Sequence, residues 1–318
     1  MDKFIGVLNG GCEKTIRALV EYNGYLYSGG DDYLILKWYN DECIKVLNGC
    51  EEGVQTLIVH NEYLFSGDSA GKIRKWKDDV CIKVLHGHDA KINSMILHDG
   101  HLYSSDDDCQ ILKWFDDGYY IRISSKKTRG AVECLVSYRD KNNKCYLYSG
   151  DTNGVISKWE DDICIQHIYT NSTIWCIAIH DDYIYTGHAD QLIRKWTNTC
   201  AEEPIILHQH KSYVLTLISF NECLYSCGLR KLICKWNNDK CVQVIRTSDS
   251  SPYYFINHNE AVYVACYDGV IRKYGEYWPN QYRKLPQTQK EKIKNWRRTK
   301  LGIQKDLKFL FERELLSE

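Results

Sequence analysis

Residues 54–85 read VQTLIVHNEYLFSGDSAGKIRKWKDDVCIKVL. The line falls into four short segments, VQTLIVHN (54–61), YLFSGDSAG (63–71), KIRKW (72–76) and CIKVL (81–85), with Asp78 and Asp79 between the last two. Short runs rich in β-branched and aromatic residues, parted by turn residues, read as antiparallel strands. The same ordered pieces recur along the chain. A Lys-Trp pair after an aliphatic residue ends at Trp38, Trp76, Trp114, Trp159, Trp196 and Trp236, and Lys273-Tyr274 is a seventh copy; the separations are 38, 38, 45, 37, 40 and 38. Four strands at a period of about 40 residues mark a radially repeated sheet, because one such unit cannot bury both faces without a neighbour on each side. The chain is therefore expected to be all-β, a closed seven-bladed β-propeller over residues 1–275, followed over 276–318 by a basic linker and a short α-helical, amphipathic C-terminal tail.

These residues resemble the WD-repeat (WD40) family over roughly residues 4–274. The family's Gly-His dipeptide stands at Gly87-His88, its S-G-x-x-D turn at Ser28 to Asp32, and its aliphatic-x-x-Trp strand at Ile35 to Trp38. The resemblance implies a hydrogen-bonded tetrad of His, Ser or Thr, Asp and Trp across each blade. Carried over position by position, blade three alone holds all four, as His88, Ser104, Asp108 and Trp114. Cys50 stands for His in blade two, Ala70 and Arg230 for Asp in blades two and six, and Tyr274 for Trp in blade seven. Each such hydrogen bond is worth about 0.5–1.5 kcal/mol net, so a propeller can lose several and still hold on its apolar interfaces.

The first residues indicate how the ring closes. FIGVL (4–8) matches the outer-strand segments at 43–47 and 81–85, yet no first three strands precede it, and the last copy after Tyr274 lacks a fourth. The N-terminal segment is expected to complete blade seven and leave no open sheet edge there.

With 44% apolar and 13% aromatic residues the chain has ample material for a core. Its longest apolar runs, such as 177–179, are strand-sized, so neither a signal peptide nor a membrane span is expected. Cys43, Cys81, Cys164 and Cys241 share one repeat position, which points to free thiols in a cytoplasmic protein, with the nucleus as the other compartment in view.

A net charge of -1 hides an asymmetry: residues 275–318 carry eleven basic and six acidic residues, leaving the propeller near -6. In the tail, Ile293, Trp296, Ile303, Leu307, Leu310, Phe311 and Leu315 recur at helical spacing, and Lys290, Lys292, Lys294, Arg297, Arg298 and Lys300 surround Trp296. A stripe packed on the propeller or on another copy is one reading; an acidic partner, nucleic acid or an anionic membrane is the other.

Apparent catalytic motifs dissolve into the repeat. GGDD (29–32) is a turn between strands, matched by SDDD at 105–108, and His60, His98, His180 and His258 share one position a blade apart. Cys223 and Cys227 lack zinc-knuckle spacing, and phosphate-cradling loops and nucleophile elbows are missing. No cofactor, no metal and no enzymatic activity are expected. Lysine precedes the aromatic residue in every blade (Lys37, Lys75, Lys113, Lys158, Lys195, Lys235 and Lys273), which argues for a structural task, stem packed and ammonium paired, with a functional basic ring as the alternative.

Function is expected where the blades differ. The resemblance implies one rim, built by the d–a and b–c loops, on which partners dock. Residues after the first buried aliphatic of strand a are Arg17, Gln55, Asn93, Glu133, Trp175, Leu215 and Tyr253; those before the turn position are Asp31, Ser69, Asp107, Thr152, Ala189, Leu229 and Tyr267. Blades five to seven bring Trp175, Tyr213, Leu215, Leu229, Tyr253 and Tyr267, while blades one, three and four bring Asp31, Asp107 and Glu133, with Arg17 beside them. An aromatic crescent facing acids suits a short segment with an apolar anchor and a Lys or Arg. The long loop 139–145 and the basic loop 124–130 are read as neutral variation. The expected function is a non-catalytic scaffold that binds a protein or peptide segment on the rim, with the tail for a second partner. The rivals are an adaptor for nucleic acid or an anionic membrane through the tail, and a ubiquitin-ligase substrate receptor, which needs a separate adaptor because no F-box-like segment precedes the ring.

Overall fold

A computed structural model of the chain describes residues 3–8, 14–116, 118–124, 130–199, 202–220, 222–247, 250–258 and 261–275. The expected linker and helical tail, including Lys290, Lys292, Lys294, Trp296, Arg297 and Arg298, lie outside the described residues, as does most of the 124–130 loop.

Seven four-stranded antiparallel sheets make up the fold, each strand pairing with the next along the chain in six of them. Blade one is typical: strand a is Ile16–Tyr22, b is Tyr25–Gly30, c is Ile35–Tyr39 and d is Glu42–Leu47. Blade seven takes Pro252–His258, Ala261–Cys266 and Ile271–Gly275 from its own repeat, and its outer strand is Lys3–Leu8. There Lys3 pairs with Gly275 and Leu8 with Ile271, so the N-terminal strand closes the ring as the repeat arithmetic requires.

Turn chemistry sets the blade pitch. The c–d turns put two consecutive residues at positive φ: Asn40 and Asp41 (48° and 66°), Asp78 and Asp79 (50° and 64°), Asp161 and Asp162 (46° and 65°), Asn238 and Asp239 (47° and 62°). That is the type I′ hairpin, whose twist matches the flanking strands and which Asn and Asp tolerate better than other side chains. The longer a–b loop of blade four closes on itself, Asp140 Oδ1 accepting from the Asn142 and Lys144 N–H groups at 2.9 and 2.8 Å.

The core is not central. It lies in seven apolar layers, each shared by two neighbouring blades; one joins Ala18, Tyr27, Ile35 and Leu47 of blade one to Val54, Leu57, Leu64 and Trp76 of blade two. The seventh joins Leu8, Ile16, Leu19 and Trp38 to Ala261, Tyr263 and Ile271 across the closure. Close approach explains one recurrent small residue. A Cβ at Gly150 of strand b would lie 2.6 Å from Ile174 Cγ2 in the next blade, and one at Gly187 would lie 2.7 Å from Val214 Cγ1.

At five of its seven positions the repeated lysine is a tie between blades. Lys37 Nζ reaches Asp79 Oδ2 at 3.0 Å, Lys113 reaches Asp162 at 2.6 Å, Lys195 reaches Asp239 at 2.7 Å and Lys273 reaches Asp41 at 3.1 Å, each acid sitting in the c–d turn of the following blade. The tyrosine paired with each lysine donates to the same carboxylate, Tyr27 to Asp79 at 2.8 Å and Tyr263 to Asp41 at 3.1 Å. In blade four Lys158 and Tyr148 instead donate to the Asn198 carbonyl at 3.1 and 2.8 Å. The stems also lie against rings, with Lys75 Nζ 3.7 Å from the Tyr63 centroid.

Within blades, the indole N–H of Trp38, Trp76, Trp114, Trp159 and Trp236 donates to Ser28, Ser66, Ser104, Ser149 and Ser226, and that of Trp196 donates to Thr186, all at 2.7–3.0 Å. The complete tetrad does sit in blade three, but its acid is Asp106, not Asp108. His88 Nδ1 and Asp106 Oδ2 are 2.6 Å apart and His88 Nε2 and Ser104 Oγ 2.6 Å apart, while Asp108 is exposed in the turn. The reason is strand period: Ser104 and Asp106 are two apart and share a face. The acidic position therefore falls on Asp68 in blade two and Gly228 in blade six, rather than on Ala70 and Arg230. Buried Asp68 binds Arg74 of the same blade. In blade six His210 still meets Ser226 at 2.6 Å without an acid, and in blade five His188 takes the acidic place itself, 2.7 Å from Thr186.

Candidate functional site

Each blade carries the same irregularity at the start of strand a. The a–b register slips between Ile16 and Ala18, Val54 and Thr56, Ile92 and Ser94, Val132 and Cys134, Ile174 and Cys176, Val214 and Thr216, and Pro252 and Tyr254. The residue skipped is Arg17, Gln55, Asn93, Glu133, Trp175, Leu215 or Tyr253. A bulge leaves its extra residue out of the ladder and re-aims the side chain. All seven line one cavity of about 500 Å³, together with Lys91, Tyr213, Leu229 and Tyr267. Of the sequence-derived rim residues, the structure brings Arg17, Glu133, Trp175, Tyr213, Leu215, Leu229, Tyr253 and Tyr267 to this cavity; Asp31 and Asp107 are not among its lining.

A second row backs the first. The N–H groups of Asp31, Ser69, Asp107, Thr152, Ala189 and Tyr267 donate to the carbonyls of residues 15, 53, 91, 131, 173 and 251 at 2.9–3.1 Å, which locks each b–c turn onto the entry of strand a. The two rows then pair blade by blade. Arg17 donates twice to Asp31, at 2.9 and 2.8 Å, and its guanidinium lies 4.7 Å from the Tyr253 ring centroid. Gln55 donates to Ser69 at 3.0 Å and Asn93 to Asp107 at 2.8 Å. Tyr253 and Tyr267 meet edge to face at 5.3 Å. Leu215 and Leu229 are both apolar and need no polar partner.

Blades four and five break this pattern. Glu133 is backed by Thr152, and among the described residues its carboxyl makes no hydrogen bond and no ion pair. Burial drives its pKa up to about 7; Lys91 pulls it down and Asp107 pushes it further up. Trp175 is backed by Ala189, which offers only a methyl group. Its ring stacks on Tyr213 at 6.3 Å and 25°, and its buried indole N–H has no acceptor among the described residues.

The acids expected to face the aromatic crescent are thus mostly spent. Asp31 holds Arg17, and Asp107 holds Asn93 and lies 3.5 Å from Lys91. What remains is an apolar and aromatic arc from Trp175 through Tyr213, Leu215, Leu229, Tyr253 and Tyr267, with one uncompensated carboxyl at its end. Sequence reading missed Lys91, which lies in a d–a connection with no repeat signal, and it missed the pairing of the two rows. The offset of fourteen residues between Arg17 and Asp31, and again between Asn93 and Asp107, was the available clue. Among the described residues no group of three or more His, Cys, Asp or Glu side chains is placed to hold a metal ion, and no helix is long and apolar enough to cross a membrane.

Comparison with known proteins agrees with the propeller fold. Residues 79–114 match the WD domain, G-beta repeat. The crystal structure of the WD40 beta propeller domain of Doa1 superposes with a TM-score of 0.76 at 17% identity, covering 86% of this chain and 96% of that one. The computationally designed Ika8 protein superposes with a TM-score of 0.65 at 17% identity, covering 85% and 98%. No curated protein matches the chain in sequence.

Proposed function

From a chain that is a seven-bladed WD40-type β-propeller, we propose a non-catalytic scaffold that binds a protein or peptide segment across the rim cavity. The observation that carries this reading is the seven-fold bulge: it aims one variable residue per blade into a common space, and in blades five to seven those residues and their neighbours are aromatic or aliphatic. Cavities of about 300–1,000 Å³ are what ligands occupy; this one has polar and apolar walls in nearly equal share, with its aromatic groups gathered in blades five to seven, and buried aromatics carry most interface energy. Tyr213 and Leu229 are 45% and 39% exposed, so their apolar surface is available to a partner. The tail residues Lys290, Lys292, Lys294, Trp296, Arg297 and Arg298 are proposed to engage a second, acidic partner.

The test is site-specific photocrosslinking with p-benzoylphenylalanine placed at Leu229, and separately at Ile82 on the outer strand of blade two. A partner band at 229 that disappears when Trp175→Ala and Tyr253→Ala are added, with melting nearly unchanged, supports the rim. Equal bands at both positions, or a band at 229 that survives the double substitution, defeat it. Charge removal at Lys290, Lys292, Lys294, Arg297 and Arg298 should leave the band at 229 intact.

A further inference from the structure

Five blades satisfy their rim residues internally and two do not, and the two exceptions are neighbours. Glu133 offers an acceptor without a donor among the described residues. Trp175, one blade on, offers an aromatic wall stacked on Tyr213, its N–H without an acceptor among the described residues. We propose that this corner is a subsite for a cationic side chain, a lysine or arginine of the bound segment, with the Glu133 carboxylate as its counter-ion and the Trp175 ring as its wall. The proposal deepens the rim reading and rests on it.

Charge complementarity selects this occupant. The groups facing Glu133 from blade three are Lys91, which pulls its pKa down, and Asp107, which pushes it up; the two lie 3.5 Å apart. Next to it in sequence lies Cys134, a buried thiol whose pKa burial pushes well up. Across the cavity Arg17 is committed to Asp31. Among the described residues no cation forms an ion pair with the carboxylate, Lys91 acting on it only from beside Asp107, so a ligand that brings a cation gains a half-buried acid as its partner. An ammonium or guanidinium over the face of a tryptophan adds a further attraction.

The proton balance follows. Near neutrality the resting carboxyl is partly protonated, so a cation binds with transfer of the Glu133 proton to solvent: carboxylic acid plus cationic side chain gives carboxylate–cation pair plus a released proton. Affinity for such a segment must rise as pH increases through about 7 and level off above it.

The experiment uses the full chain and an array of acetylated, amidated hexapeptides in which an aromatic residue is fixed and each other position is varied. The strongest peptide is then titrated calorimetrically at pH 6, 7 and 8 in two buffers of different ionisation enthalpy. The expected result is selection of Lys or Arg at one position, loss of at least tenfold on its replacement by norleucine, roughly tenfold tighter binding at pH 8 than at pH 6, and proton release at pH 7. Glu133→Gln should erase both the cation preference and the pH slope, and Trp175→Leu should weaken the Lys peptide at every pH. Selection of peptides with no cation, or a Glu133→Gln protein that keeps the preference and slope, overturns the subsite and leaves the rim reading standing. An array with no binder overturns both.

Discussion

Asp106 and Asp108 differ by two residues and by everything that matters to them. Asp106 is buried against His88 and also accepts the Gln110 N–H at 2.8 Å, whereas Asp108 is exposed in the turn. Asp106→Ala strands a buried imidazole and a turn N–H and should cost about 1–3 kcal/mol, while Asp108→Ala should stay within about 0.5 kcal/mol. Chemical denaturation of the two variants checks this, and equal losses would contradict the assignment. The lesson about legibility sits here. Every tetrad residue type was visible in the chain, but the acid was sought in the turn instead of on the face that Ser104 shares with it. Two other buried groups set a pH limit. His188 and His210 are both held down to about 4, chiefly by burial, with Arg194 adding to the effect at His188. An unfolded histidine titrates near 6.5, so the unfolded chain binds more protons between those values and stability falls as pH drops from about 6.5 towards 4. His210→Gln should flatten that acid limb by about 1–3 kcal/mol, measured as denaturation midpoints from pH 7 to pH 4.

Between elements, five of the interfaces use one device with local substitutions. Asp79 in the c–d turn of blade two receives Lys37, Lys45 and Tyr27 from blade one, and the first of these contacts is largely buried. Asp41 receives Lys273 and Tyr263 but is itself 43% exposed. Removing a buried acid leaves its cation uncompensated, so Asp79→Ala should cost about 2–4 kcal/mol and Asp41→Ala about 1 kcal/mol or less. Gly150→Val tests the apolar side of the same device: its side chain must enter the space of Ile174, and overpacking of that kind costs about 1–3 kcal/mol. The lysine repeat announced a structural task, and the Asp-rich turns were plain in the chain. That Lys37, Lys113, Lys158, Lys195 and Lys273 reach forward to the next blade was not legible, because the partner is distant in sequence and only the ring geometry brings the two together. The bulges were half legible. Counting from Ile16, Val54 or Ile174 picks out Arg17, Gln55 and Trp175, yet nothing in the chain shows that these residues leave the ladder.

At the scale of the molecule, every blade is stable only as part of the ring, and the ring depends on one strand that is distant in sequence from the sheet it completes. Leu8 is 2% exposed and belongs to the apolar layer between blades seven and one. Deleting residues 1–8 uncovers that layer and the edge of Ile271–Gly275, and should lower the melting midpoint by about 5 °C or more, read by calorimetry; an unchanged midpoint would refute closure by this strand. The pairing at this seam also has a direction. Lys3 lies opposite Gly275, so the two chain segments leave the sheet from the same end of an antiparallel pair. A tensile load applied between them peels the ladder one rung at a time and never shears several rungs together. The seam that makes the ring a closed solid at rest is thus its compliant joint under force, and tension between the two flanking segments will unzip blade seven before it strains any other.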